Sequence, residues 1–376
     1  MRNILFILLA ISLVACKNNK KENPESEKSD LVKYQEKELK PETYYSEDVT
    51  FTNEKENFTL SGTLTMPSKE GVFPAVVLIS GSGLQNRNEE IMGHKPFLIL
   101  ADHLTRKGIA VLRFDDRNFG ESKGDASQAT VENFADDAQA AVNYLLSRNE
   151  ISKTKIGLIG HSEGGIIAPM LAAKSNDIAF IVMLAGSGIQ GKDLLLLQTE
   201  LIAKASGKSD SIIEQSSATN KAIYEIICNI DDDEEREAKI TECLKQYLDK
   251  TPATLKGGQS DESIISQTMK QVDSPYIKYF LRHNPATDLE KVKCPVLAIN
   301  GNKDLQVPSK INLEAIKTAL EKGGNENFTI EEINGLNHLF QECNTGSPAE
   351  YAVIKQTFSP AALNIISDWI LGTIQQ

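Results

Sequence analysis

The sequence contains few of the residues that carry metal or redox chemistry. Only five of its 376 residues are cysteine, and five are histidine. Cys16 aside, four cysteines remain (Cys228, Cys243, Cys294 and Cys343), and none of them stands in a C-x-x-C pair. The sequence therefore supports neither a zinc site nor a thioredoxin-type motif. We expect no metal and no cofactor, and any disulfide pairing stays open.

Positive charge is also scarce. The chain has 40 lysine and arginine residues against 52 aspartate and glutamate residues, a formal net charge of -12. No stripe of basic residues interleaved with aromatic residues is visible. Such a chain repels phosphate backbones, so we do not expect nucleic acid as a partner.

The N-terminal residues have the pattern of an export signal. A short basic start precedes an apolar run from Ile4 to Ala15, which is too short to span a bilayer. The run ends in Leu13-Val14-Ala15-Cys16, which resembles the bacterial lipobox. That resemblance implies removal of residues 1–15 and a lipid anchor on Cys16, which would hold the protein to a bilayer of the bacterial cell envelope, on its periplasmic or surface face. The alternative is an ordinary cleaved signal followed by a chance cysteine.

Residues 16–44 are almost wholly polar, and such a segment buries too little apolar surface to offset the entropy of ordering. We interpret them as a flexible tether. Residues 45–376 then suit one large domain with an insertion.

After Pro67, apolar runs of strand length alternate with stretches of helical spacing. Runs of this kind are typical of strands buried on both faces. The alternation predicts βαβ units and a mostly parallel, doubly wound sheet of the α/β class, entered through a β-hairpin. The predicted strands are Val49 to Thr52 and Phe58 to Met66 in the hairpin, then Ala75 to Ser80, Ile109 to Asp115, Lys155 to His161, Ile178 to Ala185, Val296 to Asn300 and Phe328 to Ile333.

The alternation lapses once, at about residues 189–288, where helical periodicity dominates. We predict a helical cap that covers the active site and selects the substrate. Its acidic run, Asp231 to Glu235, is interpreted as the solvated start of a helix rather than as a metal site.

A candidate nucleophile is Ser162, in the string Gly160-His161-Ser162-Glu163-Gly164. The string follows a predicted strand and opens a predicted helix. A nucleophile elbow needs that context, and it needs small residues two positions before and two after the serine because the turn is tight. A serine hydroxyl also requires a base within reach and a carboxylate that orients the base.

His338 and Asp304 are the candidates for these two roles. His338 lies just after the last predicted strand, and Asp304 follows the strand Val296 to Asn300. In a fold that carries a nucleophile elbow, the nucleophile comes first along the chain, the acid second and the histidine last, as these three residues do. For the oxyanion hole we assign the backbone N–H groups of Glu163 and Ser82, with Gly83 as a substitute for Ser82. A phosphate-binding role for the loop Ser80 to Gly83 fails because no Gly-Lys-Ser or Gly-Lys-Thr follows it. We also interpret every turn from a predicted strand to a predicted helix as lacking the dinucleotide fingerprint G-x-G-x-x-G.

These motifs together resemble those of bacterial α/β-hydrolase esterases related to the dienelactone hydrolase and X-prolyl peptidase-like group. The resemblance covers about residues 47–369 and implies the α/β-hydrolase fold. Serine at the elbow distinguishes the chain from dienelactone hydrolases and dehalogenases. Asn118 stands where relatives have glycine, and Ser80 replaces a usual histidine. The matching strings are Ser80-Gly81-Ser82-Gly83 with Gln85 and Arg87, Arg113 to Arg117, Gly160 to Gly165, and Cys294 to Gly301 leading to Asp304.

Further expectations concern the residues around these motifs. We expect Asp115, Asp116 and Arg117 to form an ion-pair cluster that supports the catalytic loops. His161, like His94 and His103, is expected to be a packing or surface residue.

Three functions follow from these patterns. The first is a serine esterase that cleaves small-molecule carboxylic esters through an acyl-enzyme. The second is a peptidase or acyltransferase with the same triad, and the third is a non-catalytic, lipid-anchored binding protein. The natural acyl and alcohol groups and the oligomeric state stay open.

Overall fold

The computed structural model describes residues 43–375. The predicted signal peptide, Cys16 and nearly all of the predicted tether lie outside the described residues. Within residues 43–375, no helix is long and apolar enough to cross a membrane.

An eight-stranded sheet organises most of the chain, with the order β1-β2-β4-β3-β5-β6-β7-β8. Only β2 runs antiparallel to its neighbours; the other adjacent pairs are parallel. The predicted α/β class and mostly parallel sheet are therefore confirmed. The strands are β1 (Tyr45–Asn53), β2 (Phe58–Met66), β3 (Phe73–Ile79), β4 (Ala110–Phe114), β5 (Ile151–His161), β6 (Phe180–Leu184), β7 (Val296–Gly301) and β8 (Phe328–Ile333).

Helices connect the strands and fill the span between β6 and β7. In chain order they are α1 (Pro96–Arg106), α2 (Val131–Ser147), α3 (Gly164–Ala172), α4 (Gly191–Ala205), α5 (Asp210–Asn229), α6 (Asp233–Asp249), α7 (Asp261–Val272), α8 (Pro275–Arg282), α9 (Ala286–Leu289), α10 (Ser309–Lys322) and α11 (Pro360–Ile374).

The described chain divides into two compact units. Residues 190–283 form the first, here called the helical unit. The second, here called the sheet unit, contains all eight strands in residues 43–189 and 284–375.

The core of the sheet unit explains why its strands are continuously apolar. Val76 and Leu78 of β3 belong to a buried cluster that also contains Leu100 and Leu104 of α1 and Ile366 of α11. Val77, which points to the opposite face of β3, is also fully buried, so this central strand needs apolar side chains on both faces. In a sheet of this kind the carboxyl ends of parallel strands lie along one edge, where ligand sites form.

The helical unit contains α4 to α8 and no strand. The sequence pattern had indicated helices in the regions of α4, α5 and α6, but not α7 and α8 separately. The acidic run is the start of a helix, as predicted: Asp232 is the N-cap of α6 and accepts a hydrogen bond from the Glu235 backbone N–H at 2.8 Å. A role as a cap over the active site stays a prediction.

Candidate active site

Ser162 occupies a sharp turn between β5 and α3. Its backbone φ is 53°, in the left-handed region that non-glycine residues rarely adopt. A side chain at Gly160 would overlap the backbone of Gly164, and a side chain at Gly164 would overlap the carbonyl of Ile79. The two glycines are therefore required by the tightness of the turn, which is the geometry of a nucleophile elbow.

Asp304 and His338 are in direct contact. The Asp304 Oδ2 atom lies 2.7 Å from His338 Nδ1, and the side chains are almost fully buried. The other carboxylate oxygen of Asp304 accepts the backbone N–H groups of Gln306 and Val307 at 2.7 and 2.9 Å. Because the carboxylate fixes the proton on Nδ1, the Nε2 atom of the imidazole is left with the lone pair that a general base needs.

Ser162 lies beside this pair without being bonded to it. The ring of its neighbour His161 is 4.8 Å from the ring of His338, centroid to centroid. Among the described residues, no hydrogen bond joins Ser162 Oγ to His338. Contacts of this kind are often long in unliganded enzymes and shorten when substrate binds.

The loop Ser80 to Gly83 lies against the elbow. A side chain at Gly81 would come within 3.2 Å of the Ser162 Cβ atom, so glycine permits the close approach. The Gly81 N–H donates to Glu89 Oε1 at 2.7 Å. The Ser82 hydroxyl donates to Glu163 Oε2 at 3.2 Å, which joins the side chains of the two residues assigned to the oxyanion hole. Their catalytic roles stay predictions.

Two residues at the site were not identified from the sequence, Glu89 and His161. Glu89 is 1% exposed, and its Oε1 atom also contacts His161 Nδ1 at 2.8 Å. His161 Nε2 in turn lies 2.9 Å from the backbone carbonyl of His338. A histidine immediately before the elbow serine was visible in the sequence, but its buried carboxylate partner lies 72 positions away and has no spacing signal.

Asp115 and Arg117 form ion pairs, as expected, but with residues outside the predicted cluster, and Asp116 forms none. Asp115 binds Arg87 at 2.7 Å, whereas Arg117 binds Asp137 at 2.7 Å. The reason is that successive residues at the end of a strand point in different directions. They meet partners from distant segments rather than each other.

Asp116 supports the loop Ser80 to Gly83, here called the oxyanion loop after its predicted role, without an ion pair. Its carboxylate accepts the Ser80 hydroxyl at 3.0 Å and the Gln85 backbone N–H at 2.7 Å. Burial raises the pKa of Asp116 well above its ordinary range, because the charged form loses its hydration.

The remaining histidines and cysteines with sequence predictions lie outside the contacts of the candidate active site described above. Both ring nitrogens of buried His94 have partners, at Thr357 and Tyr351, and His103 contacts Ser367. The four cysteines within residues 43–375 are free thiols. No group of three or more potential metal ligands occurs in the part of the chain that the structure describes.

The prediction that no strand-to-helix turn carries the fingerprint G-x-G-x-x-G is wrong, because the string Gly186 to Gly191 matches it and lies between β6 and α4. Packing explains its glycines. A side chain at Gly186 would meet the Gly165 backbone, one at Gly188 the Asn312 carbonyl, and one at Gly191 the Phe280 carbonyl. The string therefore needs no dinucleotide to account for it.

Comparison with known proteins agrees with this geometry. Residues 132–280 match the family model of the BAAT and acyl-CoA thioester hydrolase C-terminal domain. Over 300 residues the chain is 29% identical to the esterase EstD of Thermotoga maritima, covering 80% of this chain and 61% of that protein. Over 129 residues it is 31% identical to human acyl-coenzyme A thioesterase 1, covering 34% of this chain and 27% of the thioesterase.

Solved structures show the same fold. The α/β-hydrolase GrgF of a Penicillium species superposes with a TM-score of 0.54 at 16% identity, covering 88% of this chain and all of that one. The chain is thus an α/β-hydrolase by fold, and its resemblance to α/β-hydrolase esterases is confirmed. It spans about three fifths of the length of the Thermotoga esterase.

Proposed function

We propose that the protein is a serine hydrolase that cleaves carboxylic esters through Ser162, Asp304 and His338. The observation that carries the proposal is the buried 2.7 Å contact between Asp304 and His338 beside a serine in a strained turn. The similarity to an esterase and to a thioesterase supports ester or thioester cleavage as the reaction class.

In the proposed reaction, His338 Nε2 takes the proton of the Ser162 hydroxyl as its oxygen attacks the carbonyl carbon of the substrate. The backbone N–H groups of Glu163 and Ser82 donate to the oxyanion that forms. The tetrahedral intermediate collapses, the bond to the leaving group breaks, and the imidazolium returns the proton to the departing oxygen. Water then repeats the sequence on the acyl-enzyme and releases the acid.

Thioesters are a second candidate substrate class, favoured by the family match over residues 132–280. A thiolate leaves more readily than an alkoxide, so the same triad suffices for both. Oxygen and sulfur esters of one acyl group, compared by kcat/KM, would separate the two classes.

The experiment that tests the proposal combines labelling with turnover. Wild-type protein should react with a fluorophosphonate probe and hydrolyse nitrophenyl esters. We expect Ser162→Ala to abolish labelling and to lower kcat by several orders of magnitude with the fold intact. Ser211→Ala, which changes an exposed serine of the helical unit, is the matched control. Retention of more than about a tenth of the activity by Ser162→Ala would contradict the assignment.

We also propose that the protein is exported and held to a bilayer by an acylated Cys16. The sequence Leu13-Val14-Ala15-Cys16 and the polar segment behind it support this. Cys16→Ser should move the protein from the membrane fraction to the soluble fraction in the native host. Continued membrane association of this variant would exclude the anchor.

A further inference from the structure

One oxygen atom, Oε1 of Glu89, connects two parts of the site. It accepts the Gly81 N–H of the oxyanion loop at 2.7 Å and contacts Nδ1 of His161 at 2.8 Å. The same imidazole contacts the backbone carbonyl of His338 through Nε2 at 2.9 Å. The oxyanion loop, the residue before the nucleophile and the proposed base are thereby linked through one buried carboxylate.

The partners of His161 determine its protonation. A backbone carbonyl can only accept a hydrogen bond, and so can a carboxylate. Both ring nitrogens must therefore donate, which requires an imidazolium, or an imidazole that shares one further proton with Glu89. Burial by itself lowers the pKa of His161, but the charge and hydrogen bond of Glu89 outweigh it and raise the pKa above its ordinary value.

The conformation of Glu89 indicates that its position is imposed by the surrounding structure. Its φ is 53°, in the left-handed region, where an ordinary side chain is strained. A side chain at Gly81 would lie 3.2 Å from Glu89 Oε1 and 3.5 Å from His161 Nδ1, so the three residues are in close contact. Strain of this kind persists where neighbouring contacts fix the geometry, often at functional sites.

We propose that Glu89 is a positioning residue that acts through His161, holding the oxyanion loop and the His338 backbone in register with Ser162. The inference rests on the proposed serine hydrolase function. It also assigns the Gly81 N–H to Glu89, which leaves the next N–H groups of the loop, those of Ser82 and Gly83, for the oxyanion.

The test compares Glu89→Gln with Glu90→Gln, the same change at the exposed neighbouring glutamate. Glutamine keeps the size and one acceptor oxygen but removes the charge that supports the second proton on His161. Because misplacement of reacting groups by about 1 Å costs about a hundredfold in rate, we expect kcat of Glu89→Gln to fall tenfold to a hundredfold. We expect KM to change little and Glu90→Gln to match wild type.

A double-mutant cycle tests the route through His161. His161→Gln should lower kcat to a similar extent. The double variant should be no slower than either single variant, because both substitutions break the same connection, from Glu89 through His161 to the His338 backbone. Rates are expressed per site labelled by the fluorophosphonate probe, so that a partly unfolded preparation does not mimic a catalytic loss. NMR of isotope-labelled histidine in the wild type tests the protonation of His161 without any Glu89 variant. One imidazole should carry two protons near neutral pH. The signal of that imidazole should be missing in His161→Gln, which assigns it to His161.

The outcomes are distinct. A wild type that neither labels nor turns over would refute the proposed function itself. An active wild type with kcat of Glu89→Gln equal to that of Glu90→Gln would overturn the inference alone. Additive losses in the cycle, a change confined to KM, or a His161 Nδ1 atom that neither carries a proton nor shares one with Glu89 would do the same.

Discussion

The buried polar contacts of the candidate site differ from the surface ion pairs of the helical unit, although the helical unit also contains a more buried pair, Arg236 with Asp273 at 2.6 Å. In the sheet unit, buried contacts join residues far apart in the sequence: 177 positions separate His161 from His338, and both residues are buried. In the helical unit, several ion pairs join residues one helical turn apart, such as Lys204 with Glu200 and Lys239 with Glu235, and both of these pairs are exposed. Exposed pairs of this kind contribute little to stability.

This contrast indicates where the protein tolerates substitution. Buried polar contacts with several partners fix each atom, and the loss of one leaves another group unpaired at a high cost. Surface pairs within a helix constrain only that helix. We therefore expect changes at the buried polar contacts of the sheet unit to lower rate or stability, and changes at the surface pairs of the helical unit to have little effect on either.

The largest expected effect is on rate, in Asp304→Asn. The amide would favour the wrong tautomer of His338, so we expect kcat to fall by about 10⁴-fold with little change in KM. Steady-state kinetics with a nitrophenyl ester measures this. Asp249→Asn, an exposed carboxylate of the helical unit, is the control and should behave as wild type. A normal rate in Asp304→Asn would mean that another carboxylate orients the base.

The next effect is on stability. Arg117 and Asp137 are each 1% exposed and lie 2.7 Å apart in the sheet unit. Arg117→Ala leaves the buried carboxylate without its cation, which costs about 3 to 5 kcal/mol of unfolding free energy. Lys239→Ala removes the exposed pair with Glu235 and should cost less than about 0.5 kcal/mol. Urea unfolding measures both, and equal losses would remove the contrast between the units.

A third prediction concerns selectivity and refines the role of α4. Leu194 and Leu195 are buried, whereas Leu196 and Leu197 are only half-buried. If the helical unit lines the acyl pocket, alanine at Leu196 and Leu197 should change the preference among ester chain lengths by about tenfold. Alanine at Leu194 and Leu195 should lower the Tm instead, since buried leucines leave cavities. An unchanged order of esters with a lower Tm in both double variants would make α4 purely structural.

The smallest expected effect is the pH dependence due to Asp116. Because its pKa is raised in the folded state, its contribution to stability is complete below the unfolded value of about 3.9 and is lost as pH rises through the folded value. The asparagine of Asp116→Asn cannot ionise, so the variant does not lose stability in this way as the pH rises. The Tm of the variant should therefore rise relative to wild type as the pH is raised from about 4. A constant difference across that range would show that Asp116 is charged in the fold.

Local signals accounted for much of the site. Ser162 was recognisable because a nucleophile elbow requires glycines at fixed spacing, and Asp304 and His338 because each follows an apolar strand. Glu89 had no such signal. Its proposed role depends on the contacts of its Oε1 atom with Gly81 and His161, and no sequence motif or residue spacing predicts those contacts. Asp116 and Arg117 were visible as charged residues, but their partners, Ser80 and Gln85 for Asp116 and Asp137 for Arg117, had no sequence signal.

The α/β class, the strands and the order of the candidate catalytic residues could all be predicted from the amino-acid sequence. These depend on hydrophobic periodicity and turn chemistry, which are local properties of a chain. Which buried polar groups meet depends on the folded chain. Such contacts join segments as distant as Glu89, His161 and His338. Their geometry is set by how the strands align and how the loops pack, because a buried donor or acceptor without a partner costs free energy.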